Sequence, residues 1–194
     1  MNRKISAILL ALFVASCGGG EREAPRALDD ACAIVDERPK YLRAMRKTEK
    51  KWGIPIAVQM ATIHQESKFV GNARTPLKFT LGVIPMGRQS SAYGYSQALD
   101  GTWDEYKEQT GKRRAKRDDI YDATDFMGWY MDGTTRTLGI SRADARNQYL
   151  AYHEGRGGYR RGSYRSKSWL VSVADKVATR AIIYDNQLRA CGKR

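Results

Sequence analysis

The 194-residue chain has two histidines and three cysteines, and neither residue type occurs in a metal-binding pattern. There is no His-Glu-x-x-His helix and no Cys-x-x-Cys pair, which sets the common zinc signatures aside. His64-Gln65-Glu66 carries only the His-x-Glu fragment of zinc deaminases. Gly155-Arg156-Gly157-Gly158 lacks the preceding strand and the Lys-Ser/Thr ending of a phosphate loop, and reads as a tight turn. No metal or cofactor is expected. The apolar run from Ile5 to Val14, broken by Ser6, falls well short of the ~20 residues that span a bilayer. Internal repeats, strand-rich stretches and a second domain are also missing. Acidic residues are scarce, 21 Asp and Glu against 34 Lys and Arg, for a formal charge of +13. That balance points to an anionic partner: nucleic acid, a membrane surface or an acidic polymer.

The N-terminus narrows the choice. Met1-Asn2-Arg3-Lys4, the short apolar run and Val14-Ala15-Ser16-Cys17 together resemble the leader and lipobox of bacterial lipoproteins. In that family the cysteine is lipidated and becomes the first residue of the mature chain. An ordinary secretory signal with an incidental cysteine is the alternative. On the lipoprotein reading, residues 1–16 are a signal peptide and 17–30 a flexible tether opening on three glycines. Residues 31–194 then form one domain, long enough for a single sizeable core. A glycine after Cys17, with no aspartate there, resembles outer-membrane sorting, so the expected location is the cell envelope, lipid-anchored and facing the periplasm. Export sets nucleic acid aside and leaves wall polymer or lipid head groups as the anionic partner. With Cys17 lipidated, Cys32 and Cys191 remain near the two ends of the domain. In an oxidising compartment they read as one disulfide, with two separate buried thiols as the alternative.

The rest reads as mainly α. Good helix formers fill 40–52 and stop at Gly53; Pro55 opens a second helix reaching about Val70, with a stripe of Ile56, Met60, Ile63, Ser67 and Val70. Pro, Gly and Ser between 74 and 92 predict a long loop or short hairpin. Thr102 is the candidate cap of a helix from Asp100, and Asp119 to Met131 forms another. Ser141 and Asp144 resemble a capping box before a helix carrying Tyr149 and Tyr152. The last helix, Ser168 to Leu188, spaces Leu170, Val173, Val177, Ile182 and Ile183 for burial.

Glu66 falls roughly 80° from the stripe of its helix, at the margin of the buried face. A half-shielded carboxyl has a raised pKa, as a general acid near neutral pH needs, although most helix-flank glutamates are solvated. The neighbouring residues favour the first reading. Glu66-Ser67-Lys68-Phe69 resembles the Glu-Ser-x-Phe signature of the soluble lytic transglycosylases, which share the lysozyme-like fold. Tyr93-Gly94-Tyr95-Ser96-Gln97-Ala98-Leu99 is similar to that family's Gly-Leu-Met-Gln block, and Ala151-Tyr152-His153-Glu154-Gly155 to its Ala-Tyr-Asn-x-Gly block. Tyr184 matches a late family tyrosine. The resemblance spans roughly Trp52 to Tyr184. It implies a mainly α, lysozyme-like domain acting on peptidoglycan glycan strands, with Glu66 as catalytic acid.

Members of that family cleave the β-1,4 bond between N-acetylmuramic acid and N-acetylglucosamine without water, closing a 1,6-anhydro ring. The substrate's own C6 hydroxyl attacks, so one carboxyl group serves where ordinary glycosidases use two. The resemblance also implies substrate contacts for Ser67, Tyr95, Gln97, Tyr152, His153 and Tyr184. Ser67 reads equally as a hydrogen-bond holder of Glu66 and as a small packing residue, and core packing is the alternative for the tyrosines. Two departures stand out: His153 where the family has Asn, and Ser96 where it has Met. If Asp100 or Glu154 faced Glu66, a hydrolase resembling goose-type lysozyme would follow; a binder that has lost catalysis is a further reading. Of the basic clusters 112–117 and 160–167, the second interleaves tyrosine with arginine and suits substrate carboxylates. Protein partners are not legible.

Overall fold

The helix that bears Glu66, α3 (Ile56–Ser67), is buried along its length except at Gln65 and Glu66, which are half-buried. A helix shielded on all sides belongs in a core. The computed structural model describes residues 22–80 and 83–194, so the 1–16 leader and Cys17 lie outside the described residues. Among these the fold is mainly helical, with one small hairpin. Around α3 stand α2 (Pro39–Trp52), α5 (Ile120–Leu138), α6 (Ala145–Arg161) and α7 (Ser168–Ala190). The short α1 (Ala31–Glu37) touches α2 and α7, and α4 (Asp100–Thr110) packs on α5. Met45, Met60, Ile63, Leu150 and Leu170 lie in the main core. Beside it, Trp103, Tyr106, Phe126 and Trp129 form a second, aromatic cluster.

Several helix ends differ from their sequence expectation. Pro55 is the residue before α3, not part of it, and the helix stops at Ser67 instead of Val70. Lys68 and Phe69 both take left-handed backbone (φ 52° and 62°), which ends the helical ladder. The turn buries Phe69 completely, stacked on Tyr41 at 5.7 Å. Thr102 does not cap α4, whose N-cap is Leu99 without a side-chain bond. The cap of α6 is Asp144, accepting from the Asn147 amide, so Ser141 lies one turn too early. In α7, Ile182 and Ile183 are exposed; the helix presents Leu170, Ala174, Val177, Ala181, Tyr184 and Leu188 to the core instead.

Between α3 and the second sequence block stands the hairpin, β1 (Leu77–Thr80) and β2 (Ile84–Arg88), antiparallel, with Leu77 opposite Arg88. It projects from the helices, and β1 is exposed throughout.

Part of the stretch expected as a tether is docked. The Gly71 amide donates to the Arg22 carbonyl, and Arg22 pairs with Asp118 at 3.0 Å. Tyr184 donates its hydroxyl to the Leu28 carbonyl. Cys32 and Cys191 form a disulfide across 159 positions, tying α1 to the end of α7. Closing so long a loop restricts the unfolded chain, so reduction is expected to remove about 2–4 kcal/mol. Thermal melts with and without a thiol reductant check this; an unchanged midpoint would show that the bridge adds nothing.

Candidate active site

Three stretches far apart in sequence converge at the C-terminal end of α3. Ser67 donates its hydroxyl to the Tyr95 carbonyl at 2.9 Å and to the Ile63 carbonyl at 3.2 Å. From the other side Tyr152, on α6, donates to the Ser96 carbonyl at 2.7 Å. The 93–99 loop is thus held between the first and third blocks. Its path demands special residues. Gly94 sits at φ 82°, and a Cβ there would lie 2.1 Å from the Arg117 carbonyl oxygen, a position only glycine tolerates. Gln97, also left-handed at φ 48°, donates its side-chain amide to the Ala73 and Gly94 carbonyls at 3.0 and 2.8 Å.

Glu66 faces α6. The Tyr149 hydroxyl lies close enough to its carboxylate to favour the charged form, and Tyr152 lies close enough to feel its charge. Burial raises the Glu66 pKa to about 7; the Tyr149 hydrogen bond and the Lys68 charge oppose this without overcoming it. The same burial, reinforced by the Glu66 charge, pushes the Tyr149 and Tyr152 phenols up, so both remain proton donors at neutral pH. Tyr152 is backed by Tyr130 at 5.2 Å and Phe126 at 6.5 Å, which fix its ring from behind. A carboxyl that stays protonated near neutrality, with the Tyr149 phenol beside it, is equipped to give up one proton and take one back.

The sequence-predicted site residues divide. Glu66, Ser67, the 93–99 loop and Tyr152 come together. Ser67 does not hold Glu66; it holds the loop. Tyr95 is a core residue, buried with its ring edge-on to Tyr41 and the two hydroxyls 3.2 Å apart. The amide nitrogen of Gln97 is committed to backbone carbonyls, so it shapes the loop. Tyr184 is wholly buried, bonded to the Leu28 carbonyl and edge-on to His64, so it presents no face to a substrate. His153 is exposed, with Nδ1 3.1 Å from Glu154.

Neither candidate second carboxylate addresses Glu66. Glu154 accepts from Lys167 at 2.8 Å and from the Ser163 hydroxyl, contacts that hold its pKa down at about 2. Asp100 pairs with Arg117 at 2.8 Å. Of the second basic cluster, Lys167 is taken by Glu154, whereas Arg160, Arg161 and Arg165 are exposed without an ion pair among the described residues. His64 is a packing residue whose pKa burial lowers to about 4.

Tyr149 is the functional neighbour that sequence reasoning passed over. Its one signal was its place three residues before Tyr152, on the same helix face, but a tyrosine there reads equally as core. Among the described residues no group of His, Cys, Asp or Glu side chains is arranged to hold a metal ion, and no helix is long and apolar enough to cross a membrane. No curated protein matches the chain. Residues 5–191 match the family model described as the transglycosylase SLT domain.

Proposed function

The chain belongs to the transglycosylase SLT domain family, and from that premise we propose that it cleaves peptidoglycan glycan strands as a lytic transglycosylase with Glu66 as its acid and base. The observation that carries the reading is the half-buried Glu66 carboxyl beside Tyr149, its pKa raised to about 7, with Glu154 and Asp100 paired instead with Lys167 and Arg117. Glu66 gives its proton to the glycosidic oxygen as the bond to the muramoyl C1 breaks, releasing the N-acetylglucosamine hydroxyl. The muramoyl C6 oxygen then bonds C1, and its proton passes to the Glu66 carboxylate. A 1,6-anhydro ring forms, no water is consumed and Glu66 is restored. Lipid attachment at Cys17 and an outer-membrane location facing the periplasm complete the proposal, on the strength of the lipobox resemblance. They would place a basic enzyme against its acidic polymer.

The test is mass spectrometry of the products from purified sacculi. Anhydro-muramoyl ends are expected; reducing ends would mean hydrolysis, and no products a binder. The acid must start protonated, so activity should decline as pH rises through about 7. Tyr149→Phe removes a bond that favours the carboxylate, which should raise the Glu66 pKa and move this alkaline limb upward. A limb that stays in place would disconnect Tyr149 from the acid.

A further inference from the structure

Of the chain's four tryptophans, Trp103 and Trp129 are buried and Trp52 donates its indole N–H to Asp125. Trp169 is different: it is 57 % exposed, in the first turn of α7. Its ring is nevertheless held. The His153 imidazole stands edge-on to it with centroids 5.3 Å apart. His153 in turn contacts Glu154, which is locked by Lys167 and by the Ser163 hydroxyl. The result is a large flat apolar face, open to water on one side and braced on the other by an ion-pair network.

Its place along the fold gives this face a use. His153 lies one turn beyond Tyr149 on the same side of α6, about 6 Å along the axis. Tyr149 lies beside Glu66, close enough to act on its carboxylate. A polymer that ran from Glu66 along α6 would reach His153 and, beside it, Trp169. A pyranose ring presents C–H groups on one face and hydroxyls at its edge, which suits an indole face flanked by polar side chains such as Lys167 and His153. An exposed aromatic already fixed in one orientation also loses little entropy on binding.

We propose that Trp169, braced by His153, is a stacking platform for a sugar ring of the glycan adjacent to the bond at Glu66. The inference rests on the proposed function for the identity of the glycan. It adds a binding residue outside the three sequence blocks. It also gives the histidine at the family's Asn position a role, because an imidazole braces an indole edge-on, a contact between rings that an amide does not make.

The experiment uses the full chain carrying Glu66→Gln, titrated with a soluble β-1,4-linked N-acetylglucosamine oligosaccharide while the four indole N–H resonances are followed by NMR. The Trp169 signal, assigned from a Trp169→Phe variant, should move while those of Trp103 and Trp129 stay. Trp169→Ala should weaken binding about tenfold, the loss typical of a truncated aromatic anchor, and Trp169→Phe should retain most of the affinity. Because the side chain is exposed, both variants should melt like the parent, which separates binding from folding. An oligosaccharide that does not bind, or that binds equally well to Trp169→Ala, overturns the platform. Sacculus cleavage by the otherwise wild-type chain is scored in parallel, so the proposed function stands or falls on its own. If sacculi stay intact while the Trp169 signal still moves, the platform holds and the transglycosylase reading fails.

Discussion

Glu66→Gln is expected to lower release of anhydro-muropeptides from sacculi by about 10²–10⁴-fold, the loss that follows removal of a general acid, while the protein stays folded. Glutamine keeps the shape of the side chain and a carbonyl to accept from Tyr149, but it has no proton to give or retrieve. The same variant should become more stable than wild type at alkaline pH. Burial raises the folded-state pKa of Glu66 from its ordinary 4.5 to about 7, so the folded chain keeps this proton to higher pH than the unfolded chain does. Its favourable contribution is complete below pH 4.5 and is lost as pH rises through 7. Glutamine does not titrate and escapes that loss. The gain at pH 8 is a few kcal/mol at most, each pKa unit corresponding to ~1.4 kcal/mol. Denaturant melts of both proteins at pH 5 and pH 8 measure it. Normal turnover by a folded Glu66→Gln protein would end the catalytic assignment; equal stability at both pH values would mean that the carboxyl is less shielded than its surroundings indicate.

The largest loss of stability should come from Asp125→Ala. Asp125 is 5 % exposed on α5 and accepts from Tyr106 at 2.7 Å, Trp52 and Lys112 at 2.9 Å, and Lys51 at 3.1 Å. Burial alone would raise its pKa; the donors, Lys112 first, outweigh it and hold the pKa at about 2. Alanine leaves an indole N–H and a phenol without their acceptor, and takes from Lys51 its counter-charge and from Lys112 the nearer of its two. Removing one partner of such a buried set costs about 3–5 kcal/mol. Asp125→Asn, which keeps an acceptor, should lose less. With a folded pKa below the ordinary 3.8, the contribution of Asp125 is present above that value and disappears as pH falls through 2. Chemical denaturation at neutral pH tests this, and a loss under about 1 kcal/mol would show that the network is replaceable.

Much of the site was legible because backbone demands leave traces in residue type. Gly94 is a glycine because the Arg117 carbonyl occupies the space of a Cβ, and Gln97 is a glutamine because its amide must reach two carbonyls from a left-handed position. Such needs recur at fixed offsets, so the 93–99 block can be recognised without coordinates. Gly53, a left-handed C-cap after a run of helix formers, likewise marks where α2 ends, whereas α5 runs on past the expected Met131 to Leu138. What stayed hidden depends on neighbours distant in sequence. Tyr184 and Tyr152 look alike as helix tyrosines, yet one is buried and bonded to Leu28 and the other meets Ser96 beside Glu66. Ile182 and Ile183 have the spacing of core residues, but the core lies on the other side of α7.

By itself the sequence determined that the chain is mainly helical, where most of its helices lie, and that three short blocks belong together. These properties follow from local backbone preferences and from the apolar period of each segment, both of which are written residue by residue. Only the tertiary structure decided what surrounds Glu66. Its pKa depends on how much water α6 excludes and on which hydroxyl reaches the carboxylate. Tyr149, more than eighty positions away, supplies that hydroxyl only once α6 packs across α3.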